Sequence, residues 1–124
     1  MFTAWLDKEV KWMNHFINAL KLYAVFDGRS TRTEYWIFIL IYIIFAVCFT
    51  FISIEMGSDI LANLFAILVL IPSISVATRR LHDTGRSGWW QLLILIPILG
   101  WILLTVYLAQ ASQEDNQYGA KPEL

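Results

Sequence analysis

Five arginines, two carboxylates and a histidine are concentrated in two short polar stretches of an otherwise oily chain. The first, from Gly28 to Trp36, carries Arg29, Arg32 and Glu34. The second, from Arg79 to Trp90, carries Arg79, Arg80, His82, Asp83 and Arg86. A guanidinium group is a planar fork of donors that matches phosphate or carboxylate, so arginines gathered at one surface suit a lipid headgroup or a phosphorylated small molecule. The plainer reading is that they set topology, with Glu34 or Asp83 paired to one of them. His82 and Asp83 are the residue types of a general base and its orienter. Neighbours in sequence point at each other poorly, however, and no nucleophile is clearly presented beside them, although Ser87 shares the loop. His15, His82 and scattered carboxylates are too few for a metal site, so no catalytic residue, metal or cofactor is expected. Cys48, the single cysteine, sits mid-way along an apolar run and reads as an inert buried thiol.

Three apolar stretches must position these clusters. Tyr35 to Ile54 is 20 residues without a charge, Ile60 to Thr78 is 19, and Trp89 to Ala109 is 21. A helix of roughly 20 apolar residues crosses a bilayer core. A soluble helix of that length would show a polar stripe, and none of the three does. The chain is 58% hydrophobic and 15% charged, with almost all its charge outside the three stretches. The expected fold is therefore an all-α membrane protein of three transmembrane helices (35–54, 60–78 and 89–109) within a bundle over 27–109. A polar tail, 110–124, follows. Pro72 and Pro97 fall inside the second and third stretches, and a bend is expected at Pro72, with Ser73, Ser75 and Thr78 able to satisfy the freed backbone.

Residues 1–26 read as a separate amphipathic interfacial helix. Phe2, Trp5, Leu6, Met13, Phe16, Ile17 and Leu20 recur at helical spacing, while Lys8, Lys11, Asn14, Asn18 and Lys21 fall largely elsewhere. Such a helix lies in the membrane surface, or docks on a partner protein. Orientation follows from the basic residues. Residues 1–34 and 79–88 together hold eight, against only Lys121 on the other side of a three-span bundle. The N-terminus and arginine loop are thus expected in the cytoplasm and the C-terminal tail on the outer face, with Trp36, Trp89 and Trp90 anchoring the inner boundary.

The clusters, in this order, resemble the domain-of-unknown-function family 805, small inner-membrane proteins of bacteria. The similar residues are Tyr23 to Phe26, Gly28-Arg29, Arg32, Glu34-Tyr35-Trp36, Arg79-Arg80-Leu81-His82-Asp83 and Gly85 to Trp90. Asp115-Asn116 and Tyr118-Gly119 in the tail are also similar, whereas Gln117 and Ala120 depart from the family pattern. The resemblance implies a bacterial cytoplasmic membrane and a compact helical bundle, and it implies no activity.

The expected function is a non-enzymatic membrane module whose cytoplasm-facing residues Arg29, Arg32, Glu34, Arg79, Arg80, His82, Asp83 and Arg86 bind anionic lipid headgroups or a membrane protein partner. Two alternatives stay open: an oligomeric channel or transporter for ions or small solutes, and an interfacial enzyme acting on a lipid headgroup through His82. No nucleic-acid partner is expected, and self-association is open.

Overall fold

The computed structural model describes residues 13–122 of the 124-residue chain. Phe2, Trp5, Leu6, Lys8 and Lys11, which the amphipathic reading uses, lie outside the described residues. Among the described residues all regular structure is helical, apart from one isolated bridge between Asn116 and Gly119. The chain is helical over residues 13–21 (α1), where Phe16 and Ala19 pack onto the core.

The first long helix, α2, spans Arg32–Met56. Thr31 starts it by accepting a hydrogen bond from the Glu34 amide at 3.0 Å, an N-cap that satisfies one of the donors every helix leaves open. Gly57 stops it with φ +66°, a left-handed conformation that glycine adopts without a side-chain penalty. There the Ser58 amide reaches back to the Ser53 carbonyl (3.1 Å) and the Gly57 amide to Ile54 (3.2 Å). The next helix, α3, spans Ile60–Asp83 and runs back antiparallel to α2, with Phe49 and Phe65 rings 4.8 Å apart near the turn. Pro72 is accommodated within α3 without ending it. The Ser75 hydroxyl is drawn to the Pro72 carbonyl (3.0 Å) and to Leu22 (3.3 Å), which ties the segment after α1 to the middle of α3.

At 1.5 Å per residue, the 25 and 24 residues of α2 and α3 reach about 36–38 Å, enough to cross a hydrocarbon core of about 30 Å. Only 11% and 22% of their most apolar windows are buried within the chain. A core helix of a soluble protein would be mostly covered, so these flanks require lipid as their solvent.

The third stretch departs from expectation. It is not one spanning helix but two short arms: a 3-10 helix, Gly88–Leu95, and α4, Leu99–Ala109. They fold back on each other. Leu93 meets Gly100 and Ile94 meets Trp101 at the tip, Trp90 meets Tyr107 farther back, and Arg86 meets Gln110 at the base. Pro97 causes the reversal, because it has no N–H with which to continue the 3-10 ladder. The tip is a γ-turn in which the Leu99 amide bonds the Pro97 carbonyl at 2.7 Å, with Ile98 forced to φ +65°. That conformation is rare and strained for a β-branched residue. Gly100 permits the close return, since a Cβ there would overlap the Leu93 carbonyl. The Trp101 indole N–H donates to the Ile94 carbonyl at 2.8 Å, the acceptor that a residue 97 amide would have served.

This substitution of an indole for a backbone donor predicts a double-mutant result. Trp101→Phe should lower stability by about 1–3 kcal/mol by orphaning a carbonyl at membrane depth. In a Pro97→Ala background, where the amide returns, the same change should be nearly neutral. Equal losses in both backgrounds, read from thermal unfolding in detergent, would refute the account.

Because the hairpin turns back, its exit lies at the end where it began. The tail is therefore found beside the C-terminus of α3, where the Gln113 amide bonds the Asp83 carbonyl at 2.8 Å. A three-span bundle would have put it at the opposite end. The core lies at this same end: Phe38, Val76 and Leu81 are fully buried there with Ser30, Ser75, Arg79, Arg80 and Asp83.

Candidate functional site

The two polar stretches meet because α2 starts, and α3 ends, at one end of the antiparallel pair. Asp83 is the hub. Its carboxylate accepts from Arg29 Nε at 2.9 Å and Arg80 Nη1 at 2.6 Å, and from the Ser112 hydroxyl. All three of the charged side chains are at most 2% exposed. Burying ions in this way is tolerable only when every donor finds a partner, and here nearly all do.

Backbone carbonyls supply most of those partners. Arg29 donates to Glu114 (3.0 Å), Gly119 (2.9 Å), Asp83 (3.2 Å) and Gln113. Arg80 donates to Leu108 (2.9 Å), Ser30 (3.4 Å) and Gln110. Arg79 donates to Leu22 (2.7 Å) and Val25 (2.9 Å), and to the Ser30 hydroxyl (3.0 Å). Helices leave their last carbonyls without intrahelical partners, and Arg79 and Arg80 cap the chain ends that follow α1 and α4. These three arginines thus join the 22–30 linker, α3, α4 and the tail.

Glu34 faces the same network. It lies 3.8 Å from Arg79 Nη2, too long for a hydrogen bond, so Oε1 and Nη2 are buried without other partners among the described residues. His82 is turned away from Asp83. Its Nδ1 lies 2.9 Å from the Gly28 carbonyl, and its ring stacks parallel to Tyr118 with centroids 3.9 Å apart. Its own carbonyl accepts from the Asn116 side chain at 3.0 Å. The base-and-orienter geometry is absent from this pair: the Asp83 carboxylate serves two arginines and Ser112 instead. Among the described residues no cluster of three or more histidine, cysteine or acidic side chains could hold a metal ion.

Of the five arginines read from sequence as one phosphate-facing group, Arg29, Arg79 and Arg80 turn inward. Arg32 and Arg86 stay at the surface. Among the described residues the Arg32 side chain makes a single hydrogen bond, to the Ala109 carbonyl at 3.2 Å. Arg86 bonds the Gln110 side chain at 2.7 Å and lies flat over the Tyr107 ring, 4.0 Å from its centroid. Trp36, Trp89 and Trp90 are all at this end of the molecule. Trp89 is the most exposed of them, at 78%.

The sequence reading missed the tail as part of this assembly. Ser112, Gln113, Asn116, Tyr118 and Gly119 supply the polar lid over His82, Asp83 and Arg29. A signal was present in the turn formers: Asn116 Oδ1 accepts from the Tyr118 amide (2.9 Å), and Asn116 and Gly119 exchange both backbone bonds at 3.0 Å. Asp115 likewise accepts from the Lys121 amide at 2.8 Å.

The sequence model of the family described as protein of unknown function (DUF805) matches residues 23–120, from the linker after α1 to the turn of the tail. The inner membrane protein YhaH of Escherichia coli strain K12 is 41% identical over 119 residues, covering 90% of this chain and 98% of its own. The inner membrane protein YhaI of the same strain is 37% identical over 114 residues, covering 90% and 97%. A third, the uncharacterized protein YiiR, is 35% identical over 82 residues, 64% of this chain and 53% of that one. No solved structure matches. The apolar helices and the inner-membrane relatives lead to one assignment: the chain is an inner-membrane member of the DUF805 family.

Proposed function

We propose that this protein is a non-enzymatic membrane module whose polar end faces the cytoplasm and engages anionic lipid headgroups through Arg32 and Arg86. The observation that carries this reading is a division of labour among the arginines. Arg29, Arg79 and Arg80 are committed to internal partners, whereas among the described residues no carboxylate lies within 4.0 Å of Arg32 or Arg86. Among the described residues each holds the end of α4 by one hydrogen bond and keeps further N–H donors for a ligand.

Charge supports the orientation. With the third stretch turned back, all seven lysines and arginines among the described residues belong to one side of the membrane, while the connecting turn at the far end carries only Glu55 and Asp59. That is the asymmetry expected of a cytoplasmic face. Indoles at the same level suit the headgroup region, and each surface arginine adds about 1 kcal/mol of attraction to an anionic leaflet.

The test is the lipid composition of protein cut from its own membrane with a polymer that retains the surrounding bilayer. Wild type should carry more anionic phospholipid than the bulk membrane, and Arg32→Gln/Arg86→Gln should match the bulk. Identical lipid in both samples, or a retained protein in place of lipid, would overturn the reading.

A further inference from the structure

We propose that the groove beside Arg86 is a specific phospholipid site, which seats one acyl chain against the 3-10 helix while Arg86 holds the phosphate. The inference rests on the headgroup reading above and adds to it the place and pose of a single bound lipid. The groove is open to its surroundings, has a volume of about 340 Å³ and is lined by Ser87, Trp89, Trp90, Leu92, Leu93 and Ile96. Five of these six side chains are apolar or indole, and the one hydroxyl is engaged by the Trp89 amide at 3.2 Å. Such a wall offers a ligand's hydrocarbon nothing polar to desolvate, and its volume lies within the range of small-molecule sites, about 300–1,000 Å³.

A cation is linked to this wall through Tyr107. Trp90 lines the groove and meets Tyr107 edge-on at 5.7 Å, and the other partner of Tyr107 is the Arg86 guanidinium, stacked over its face. Arg86 directly precedes Ser87, which lines the groove. Among the described residues only Nη1 of Arg86 is engaged, by Gln110 Oε1. The stacking holds the guanidinium plane in place while Nε and Nη2 keep their donors, the arrangement that suits a phosphodiester oxygen pair. One anion and one chain, presented side by side, define an anionic phospholipid more narrowly than a basic surface does.

The experiment uses the full-length protein, stripped of lipid in mild detergent and titrated under native mass spectrometry. The probes are dioleoyl-phosphatidylglycerol, dioleoyl-phosphatidylcholine and chain-free glycerophosphoglycerol. Wild type should retain one phosphatidylglycerol with roughly fivefold preference over phosphatidylcholine, about one charge's worth of selectivity. Arg86→Gln should bring the two lipids to parity and Arg86→Lys should keep part of the preference. Leu92→Trp, which fills the groove from an exposed position, should weaken both lipids, and glycerophosphoglycerol should not displace either. Ile96→Ser, which makes the wall polar, gives a second test should Leu92→Trp fail to elute as folded protein. If Arg86→Gln abolishes the preference while both groove variants bind as wild type, the headgroup reading stands and the acyl site is wrong. If wild type binds the two lipids equally, both fail.

Discussion

Alkaline phosphatase fused after Leu124 should be inactive, and the same enzyme inserted at Ser58 should be active. The enzyme needs disulfides that form only in the periplasm, so its activity reports which side of the membrane each position occupies. The expectation rests on length. The 3-10 arm has 8 residues and α4 has 11, so at about 2.0 and 1.5 Å per residue each reaches roughly 16 Å, half the hydrocarbon thickness. A hairpin of that depth enters and leaves by one face. The tail's anchorage to Asp83 and Arg29 supports the same geometry, because those residues belong to the end at which α3 finishes. A cytoplasm-active β-galactosidase at the same two positions should give the opposite pattern. Active phosphatase after Leu124 would mean that the third stretch crosses the membrane and that the hairpin is wrong.

Asp83→Asn should be among the most damaging single changes outside the membrane-spanning flanks. The carboxylate is wholly buried and accepts from two guanidinium groups and a hydroxyl. An asparagine keeps the shape, removes the charge and turns an N–H donor toward other donors. Removing one partner of a buried ion pair costs about 3–5 kcal/mol, chiefly because the surviving charge is stranded. Here two arginines are stranded together. The tail should come loose, so residues 110–122 should become sensitive to a nonspecific protease and the thermal midpoint should fall. Arg32→Gln is the control: its single carbonyl bond is exposed, and the change should lie within about 0.5 kcal/mol of wild type. Equal protease resistance in the two variants would show that Asp83 is not the hub.

The fold was legible in the sequence where the signal is local. Charge-free runs identify α2 and α3 because a bilayer admits little else, whereas the start of α2 at Arg32, capped by Thr31, lies ahead of the run read from Tyr35. The third run has the same composition and length, and composition does not count turns. Pro97 is tolerated in many membrane helices, so its presence could not separate a kink from a reversal. That distinction came from Gly100 accepting the Leu93 carbonyl at close range and from Trp101 reaching Ile94, two contacts between residues seven apart.

The candidate site divides in the same way. Residue types and the order of the clusters placed Arg29, Arg32, Glu34, Arg79, Arg80, His82, Asp83 and Arg86 at one end of the bundle, since an antiparallel helix pair must bring a start and an end together. Which arginines face inward depends on partners far away in sequence. Arg29 is neutralised by Asp83, 54 positions on, and by carbonyls 84 to 90 positions on. Carbonyls carry no side-chain signature, so nothing in the residue string distinguishes Arg29 and Arg80, which turn inward, from Arg32 and Arg86, which stay at the surface. The sequence alone determined the membrane, two of the three expected spans and the gathering of charge, because hydrophobicity and chain direction are local properties. The tertiary structure decided where the chain turns back and which charges remain for a ligand, because both follow from hydrogen bonds that only the folded backbone brings within reach.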